Sequence, residues 1–284
     1  GGGEDIESIE SNSQAMIAAE NTIKSFSQMH SNFGNCCIEF DVQLTMDKIP
    51  VIYHDWLVPE TGFDSVGLHS LRLDDLKKLK TKQRVIYDSK YEKHWGAVSK
   101  EEIPTLQEAF ERIDEHVSFN IEIKFPHEEE SNRFNLNDEL PSINQYCDII
   151  LDCIAKNCQP KRKIILSSFH PEVTIALKFK QCKYPVFYLT ECGENYTWDL
   201  RWQSIQQALR FSVQCSLDGI VCDSKIFYWS PAVMQKVVDS SPNVWTYGKY
   251  NKNEDHLQFQ YRAGIKGLIT DTFATALKVV NNTQ

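Results

Sequence analysis

The chain has 284 residues, close to the usual size of one α/β barrel, and its 42% apolar and 24% charged residues are enough for a sizeable core, which excludes collagen, coiled coil and a small disulfide scaffold. The net charge of −9 argues against broad binding to nucleic acid or anionic membrane, since both need clustered Lys and Arg to displace counterions. An anionic ligand therefore needs a local, built site.

The nine cysteines are scattered and hold no CxxC pair, which argues against zinc and against a disulfide framework and fits reduced thiols in a cytoplasmic protein. No apolar leader and no run of about 18 apolar residues occurs, so no stable membrane insertion is expected. The sequons at Asn195-Tyr196-Thr197 and Asn281-Asn282-Thr283 would matter only in a secreted protein.

Residues 1–15 read as a loop or frayed start. Glu20-Asn21-Thr22 opens a short helix with Ile23, Phe26 and Met29 on one side, stopped by Gly34-Asn35. β-rich runs follow at 36–42, 51–54, 118–124, 163–168, 185–189, 218–222, 244–247 and 267–271. Helical patterns occupy 105–113, 143–156, 171–179, 204–213, 231–238 and 254–263, several opened by Pro or a Ser/Thr cap. Strand and helix in such alternation predict parallel βαβ units in a single domain spanning 1–284. One gap departs from this: eight residues between Val42 and Val51 are too few for a crossover helix. Met46-Asp47-Lys48 thus reads as a turn and 51–54 as an antiparallel return strand, leaving seven parallel strands.

Chemistry in βα folds gathers at the carboxyl ends of the strands. Glu39 and Asp41 alternate with Ile38, Phe40 and Val42, so both carboxylates point to one face. Glu122 and Lys124 repeat the pattern on a later strand. If that face is the barrel interior, three carboxylates there repel unless a cation neutralises them; oxygen donors without a Cys or His cluster favour Mg²⁺ or Ca²⁺. Lys124 then suits a phosphate oxygen, and His54 suits a general acid or base. The plainer readings are a solvated strand face, a structural histidine, and Asp55 as a turn cap rather than an orienter of His54. The run Pro126 to Pro141, with Glu128-Glu129-Glu130, reads as a solvated loop; the alternative is an acidic and aromatic rim, shared with Tyr196 and Trp198, that holds a cation. Residues 80–104 read as an inserted loop.

Taken together, Glu20-Asn21-Thr22, the run from Ile38 to Thr45 with Asp47, and the run from Pro50 to Asp55 resemble the glycerophosphodiester phosphodiesterase family. The likeness continues through 119–124, 166–169, 187–190, 245–247 and 264–271, and the segments 55–62 and 167–171 are similar to its eukaryotic glycerophosphocholine phosphodiesterase branch. What the resemblance implies is a TIM (β/α) barrel that hydrolyses glycerophosphodiesters, here glycerophosphocholine, to sn-glycerol 3-phosphate and an alcohol such as choline, with a divalent cation. It makes Glu39, Asp41 and Glu122 the metal ligands, His54 a catalytic histidine, Lys124 a phosphate-contacting lysine and Trp245 a substrate-side aromatic. It also implies regulatory domains upstream in a longer protein.

The family's opening strand ends in a His-Arg-Gly motif that this sequence does not show: no histidine lies before Glu20 and no arginine before Arg72. The expectation is a barrel whose first strand lies just ahead of Gly1. Two other functions stay open on the residues: a phosphodiester-binding or regulatory module without acid/base chemistry, and a phospholipase D-like barrel acting on lysophospholipids.

Overall fold

The computed structural model describes residues 20–34, 36–59, 65–79, 102–136, 140–193, 199–241 and 243–283. The expected start at 1–15, most of the inserted loop at 80–104, and the rim residues Tyr196 and Trp198 lie outside them.

Helix α1 (Ile23–Phe33) begins at Thr22, whose hydroxyl accepts from the Ser25 amide at 3.1 Å while the Ser25 hydroxyl accepts from the Thr22 amide at 3.3 Å. Strand β1 (Cys37–Leu44) follows, then β2 (Pro50–Ile52), antiparallel to it through Val42↔Ile52 and Leu44↔Pro50. This is the expected return strand, turned through Lys48 at φ 63°. A small hairpin, β3 (Leu57–Pro59) with β4 (Ser65–Gly67), and helices α2 (Leu73–Lys78) and α3 (Leu106–Arg112) lead to β5 (Ser118–Ile123).

Strand–helix alternation then repeats: α4 (Glu128–Phe134) and α5 (Ile143–Asn157), β6 (Ile164–Ser168), α6 (Pro171–Lys180), β7 (Val186–Thr190), α7 (Ile205–Gln214), β8 (Gly219–Asp223). It finishes with α8 (Lys225–Trp229), α9 (Pro231–Ser240), β9 (Val244–Tyr247), α10 (Glu254–Arg262), β10 (Gly267–Leu268) and α11 (Phe273–Thr283). The sheet runs β10-β9-β8-β7-β6-β5-β1-β2, so among the described residues seven strands are parallel and no ladder joins β10 to β1. Its parallel βαβ units are those the alternation predicts, and its curl and surrounding helices make the fold a TIM-like barrel, as the resemblance implies.

The core has two layers. Outside the sheet, Phe40, Val42, Phe119, Ile121 and Ile123 pack against helix residues such as Phe26, Phe110, Tyr146 and Ile150, each fully buried side chain contributing about 1.5–3 kcal/mol. Inside the barrel, Phe187, Leu189 and Val221 pack with Trp245, Tyr247 and Ile269. The inward faces of β1 and β5 depart from this apolar filling: they carry Glu39, Asp41, Gln43, Asn120 and Glu122, and a cleft opens over Glu39, Asp41 and Glu122.

One expectation changes, and one helix stands where the sequence carried no expectation. Glu128-Glu129-Glu130 lie not in a loop but in the first turn of α4, where carboxylates face the positive helix terminus and Glu130 accepts from the His127 amide at 3.0 Å. The tail from Phe273 also forms a helix, seated by Val279 and Ala276 against Leu257.

Candidate active site

A cleft of about 950 Å³ opens at the carboxyl ends of the strands. The parallel register sets Asp41 beside Glu122, and the two-residue period puts Glu39 on the same face as Asp41. Ligand atoms of Glu39, Asp41 and Glu122 all lie within 4.8 Å of one another. Burial, then the neighbouring carboxylates, raise Glu39 well above the usual range; burial and Asp41 push Glu122 up to about 8. Little cancels this charge. Lys124 Nζ stands 3.8 Å from Asp41 Oδ1, and the Asn21 amide reaches Asp41 Oδ2 at 3.5 Å. Burial would lower the Lys124 pKa, but Asp41, Glu122, Glu130 and Asp55 together hold it above the ordinary lysine value.

Lys124 is fixed from behind by Tyr146 on α5, whose hydroxyl donates to the Lys124 carbonyl at 2.8 Å and accepts from the Leu44 amide at 3.1 Å. On the far side, Nζ lies 5.0 Å from the centre of the Trp56 ring. His54 is exposed at the cleft wall with Nδ1 at 2.7 Å from Asp55 Oδ1. That hydrogen bond, against the opposing effect of partial burial, raises the imidazole pKa. Between an orienter and a turn cap for Asp55, the contact favours the orienter.

The loop carrying His54 is held by Gln43, whose amide donates to the carbonyls of Tyr53 at 2.8 Å and Asp55 at 2.9 Å. The opposite wall is aromatic: Phe169 packs edge-on against Trp202 and Tyr247, both with ring centres at 5.8 Å, and Glu191 lies on the same wall.

The cleft thus brings together three carboxylates that could hold a hard cation, an ammonium beside them and an imidazole oriented by Asp55, a set able to engage an anionic ligand. The match of residues 10–275 to the family model for glycerophosphoryl diester phosphodiesterases settles the kinship. The chain belongs to the glycerophosphoryl diester phosphodiesterase family. Over 92% of its length it is 30% identical to the glycerophosphocholine phosphodiesterase of Candida albicans, 27% of which it spans. It is 32% identical to a glycerophosphodiester phosphodiesterase of Arabidopsis thaliana, with 92% of this chain and 71% of that one aligned. The chain thus spans about a quarter of the fungal relative. In structure it is similar to an Oleispira antarctica phosphodiesterase solved with sn-glycerol 3-phosphate, at TM-score 0.70, 19% identity and coverage of 93% and 92%. A Thermotoga maritima glycerophosphodiester phosphodiesterase gives TM-score 0.60 at 20% identity, with 92% of each chain covered.

In this phosphodiesterase fold Glu39, Asp41, Glu122, Lys124 and His54 all line the cleft, whereas Trp245 does not. Its ring lies deeper in the barrel, 5.3 Å from Phe187 and flat against Gly267, where any Cβ would collide with the indole. Tyr247, two residues on along the same face, is the β9 aromatic that reaches the cleft. Sequence reading assigned no site role to Gln43, Trp56, Phe169 and Trp202, and weighed Glu130 only as part of an acidic rim. Gln43 shares the alternation of Glu39 and Asp41, and that period was the available signal. Among the described residues no helix is long and apolar enough to cross a membrane.

Proposed function

We propose that this domain hydrolyses glycerophosphodiesters in a cation-dependent reaction, with glycerophosphocholine as substrate and sn-glycerol 3-phosphate and choline as products. The observation that carries the reading is the cluster of Glu39, Asp41 and Glu122, ligand atoms within 4.8 Å, facing one cleft with Lys124 and His54. Three acids against one ammonium leave an excess of negative charge in a partly desolvated place, and a hard divalent ion such as Mg²⁺ or Ca²⁺ fits that donor set.

Glu39, Asp41 and Glu122 would hold the ion, which when bound supplies charge neutralisation at the phosphoryl oxygens. Lys124 binds a non-bridging phosphoryl oxygen and stabilises charge as the nucleophile adds. His54 keeps Nδ1 on Asp55, so Nε2 carries the exchangeable proton and delivers it to the choline oxygen as the P–O bond breaks. The raised imidazole pKa favours the protonated donor at neutral pH. The nucleophile is the glycerol 2-hydroxyl, giving a cyclic 1,2-phosphate that water then opens, or water directly; either way one water is consumed overall. Phe169, Trp202 and Tyr247 with Glu191 suit a quaternary ammonium head group by cation–π and charge attraction.

The test is choline release by the purified chain from glycerophosphocholine, with lysophosphatidylcholine and phosphatidylinositol in parallel, in Mg²⁺ or Ca²⁺ and in EDTA. Turnover of glycerophosphocholine that EDTA abolishes is expected. Turnover surviving EDTA sinks the cation, and preference for lysophosphatidylcholine supports the phospholipase D-like reading. Binding of sn-glycerol 3-phosphate without turnover of any diester supports a binding module.

A further inference from the structure

We propose that Glu130 is a positioning residue that sets the Lys124 ammonium through the indole of Trp56, an inference that rests on reading Lys124 as the phosphate-binding group. Trp56 Nε1 donates to Glu130 Oε1 at 3.1 Å, while Glu130 Oε2 accepts from the His127 amide at 3.0 Å. Two donors from two segments fix the carboxylate, and the carboxylate fixes the rotation of the indole. The helix cap alone needs only Oε2, so the second contact is surplus to holding α4.

The fixed ring has a consequence for Lys124. A lysine side chain has four rotatable bonds and, beside Asp41 and Glu122, a strong pull toward them. Direct collapse would spend its donors on the carboxylates and occupy the place of a cation. In the structure Nζ stops 3.8 Å from Asp41 Oδ1, beyond hydrogen-bond length, with the Trp56 ring centre at 5.0 Å. The ring face thus offers a competing attraction that holds the ammonium in the cleft with donors to spare. Donation of the indole N–H to an ionised acceptor also drives electron density into the ring, which strengthens that attraction. Trp56, Glu130 and Lys124 all line the cleft, so the chain of contacts ends at an ammonium that faces it.

The experiment compares wild type, Glu130→Gln, Trp56→Phe and the double variant at saturating divalent cation, measuring kcat/KM on glycerophosphocholine and, by calorimetry, Kd for sn-glycerol 3-phosphate. Glutamine keeps one oxygen for the His127 amide, so the cap survives, but its NH₂ cannot accept from the indole; phenylalanine keeps a ring and removes the N–H. Each single variant is expected to lower kcat/KM about tenfold and raise Kd comparably, Glu130→Gln the more because it also withdraws the carboxylate's direct charge from Lys124, and the double to fall well short of the product of the two. The Trp56 indole N–H resonance should move upfield in Glu130→Gln. Multiplying losses, or Glu130→Gln at wild-type kcat/KM and Kd, overturn the proposal. If wild type binds sn-glycerol 3-phosphate yet turns over no diester, hydrolysis fails while the same non-additivity is read in Kd; no binding by wild type overturns both.

Discussion

At the amino end of the strands the guanidinium of Arg162, 4% exposed, donates to the carbonyls of Val117 and Ile113 at 2.7 Å each and lies 4.0 Å from the Phe119 ring centre. At the carboxyl end Glu39, Asp41 and Glu122 face one another, and among the described residues a lysine at 3.8 Å and an asparagine amide at 3.5 Å approach Asp41. Both places remove charge from water, but the first gives its cation fixed acceptors and the second leaves its anions in excess. A buried charge fully hydrogen-bonded serves stability, whereas one left in excess marks a place where an outside partner completes the balance.

The sharpest break of this contrast is Glu39→Gln. Activity should fall on the order of 10³-fold or more through loss of cation affinity, seen as a lost calorimetric signal for Mg²⁺ or Ca²⁺. The cation-free variant should melt no lower than wild type, because burial and the neighbouring carboxylates make Glu39 costly to keep ionised and Gln is neutral from the outset. A fall in both activity and melting temperature would falsify the claim that Glu39 is held at a cost to the fold. Next, His54→Asn should reduce kcat about 10²- to 10⁴-fold with cation binding intact.

Arg162→Met should give the reverse pattern at the other end: about 2–4 kcal/mol lost in urea denaturation, since two buried carbonyls lose their donor, with kcat of the folded protein unchanged. The smallest effect concerns acid. His170 stacks on His127 with ring centres 4.8 Å apart, and burial together with His127 lowers its pKa to about 4. Below its ordinary value near 6.5 the unfolded chain gains a proton at this residue that the folded chain refuses, so the His170 contribution to stability should decline from about pH 6.5 toward pH 4, on the order of 2 kcal/mol in all, against the opposite slope from Glu39 and Glu122. His170→Asn should flatten that slope in pH-dependent melting; an unchanged slope would assign the acid sensitivity elsewhere.

Much of the inward face of β1 and β5 was readable because alternation over Ile38 to Val42 and Asn120 to Lys124 has one geometric meaning once both strands are parallel and neighbouring. The eight-residue gap before Val51 was equally decisive, since length alone rules out a crossover. Depth along the barrel axis is a different matter. Trp245 and Tyr247 share a face, and which of them reaches the cleft depends on where β9 sits relative to its neighbours. The acidic run at Glu128 hid a helix because such runs are ordinarily solvated, whereas this one starts on the cap between His127 and Glu130.

Gln43 gives the site a mechanical property. Its amide ties the carbonyls on either side of His54 to β1, the strand that also bears Glu39 and Asp41. The imidazole of His54 and the carboxylates of Glu39 and Asp41 are therefore anchored to one strand, so a displacement of β1 carries all three side chains together instead of changing the distances between them.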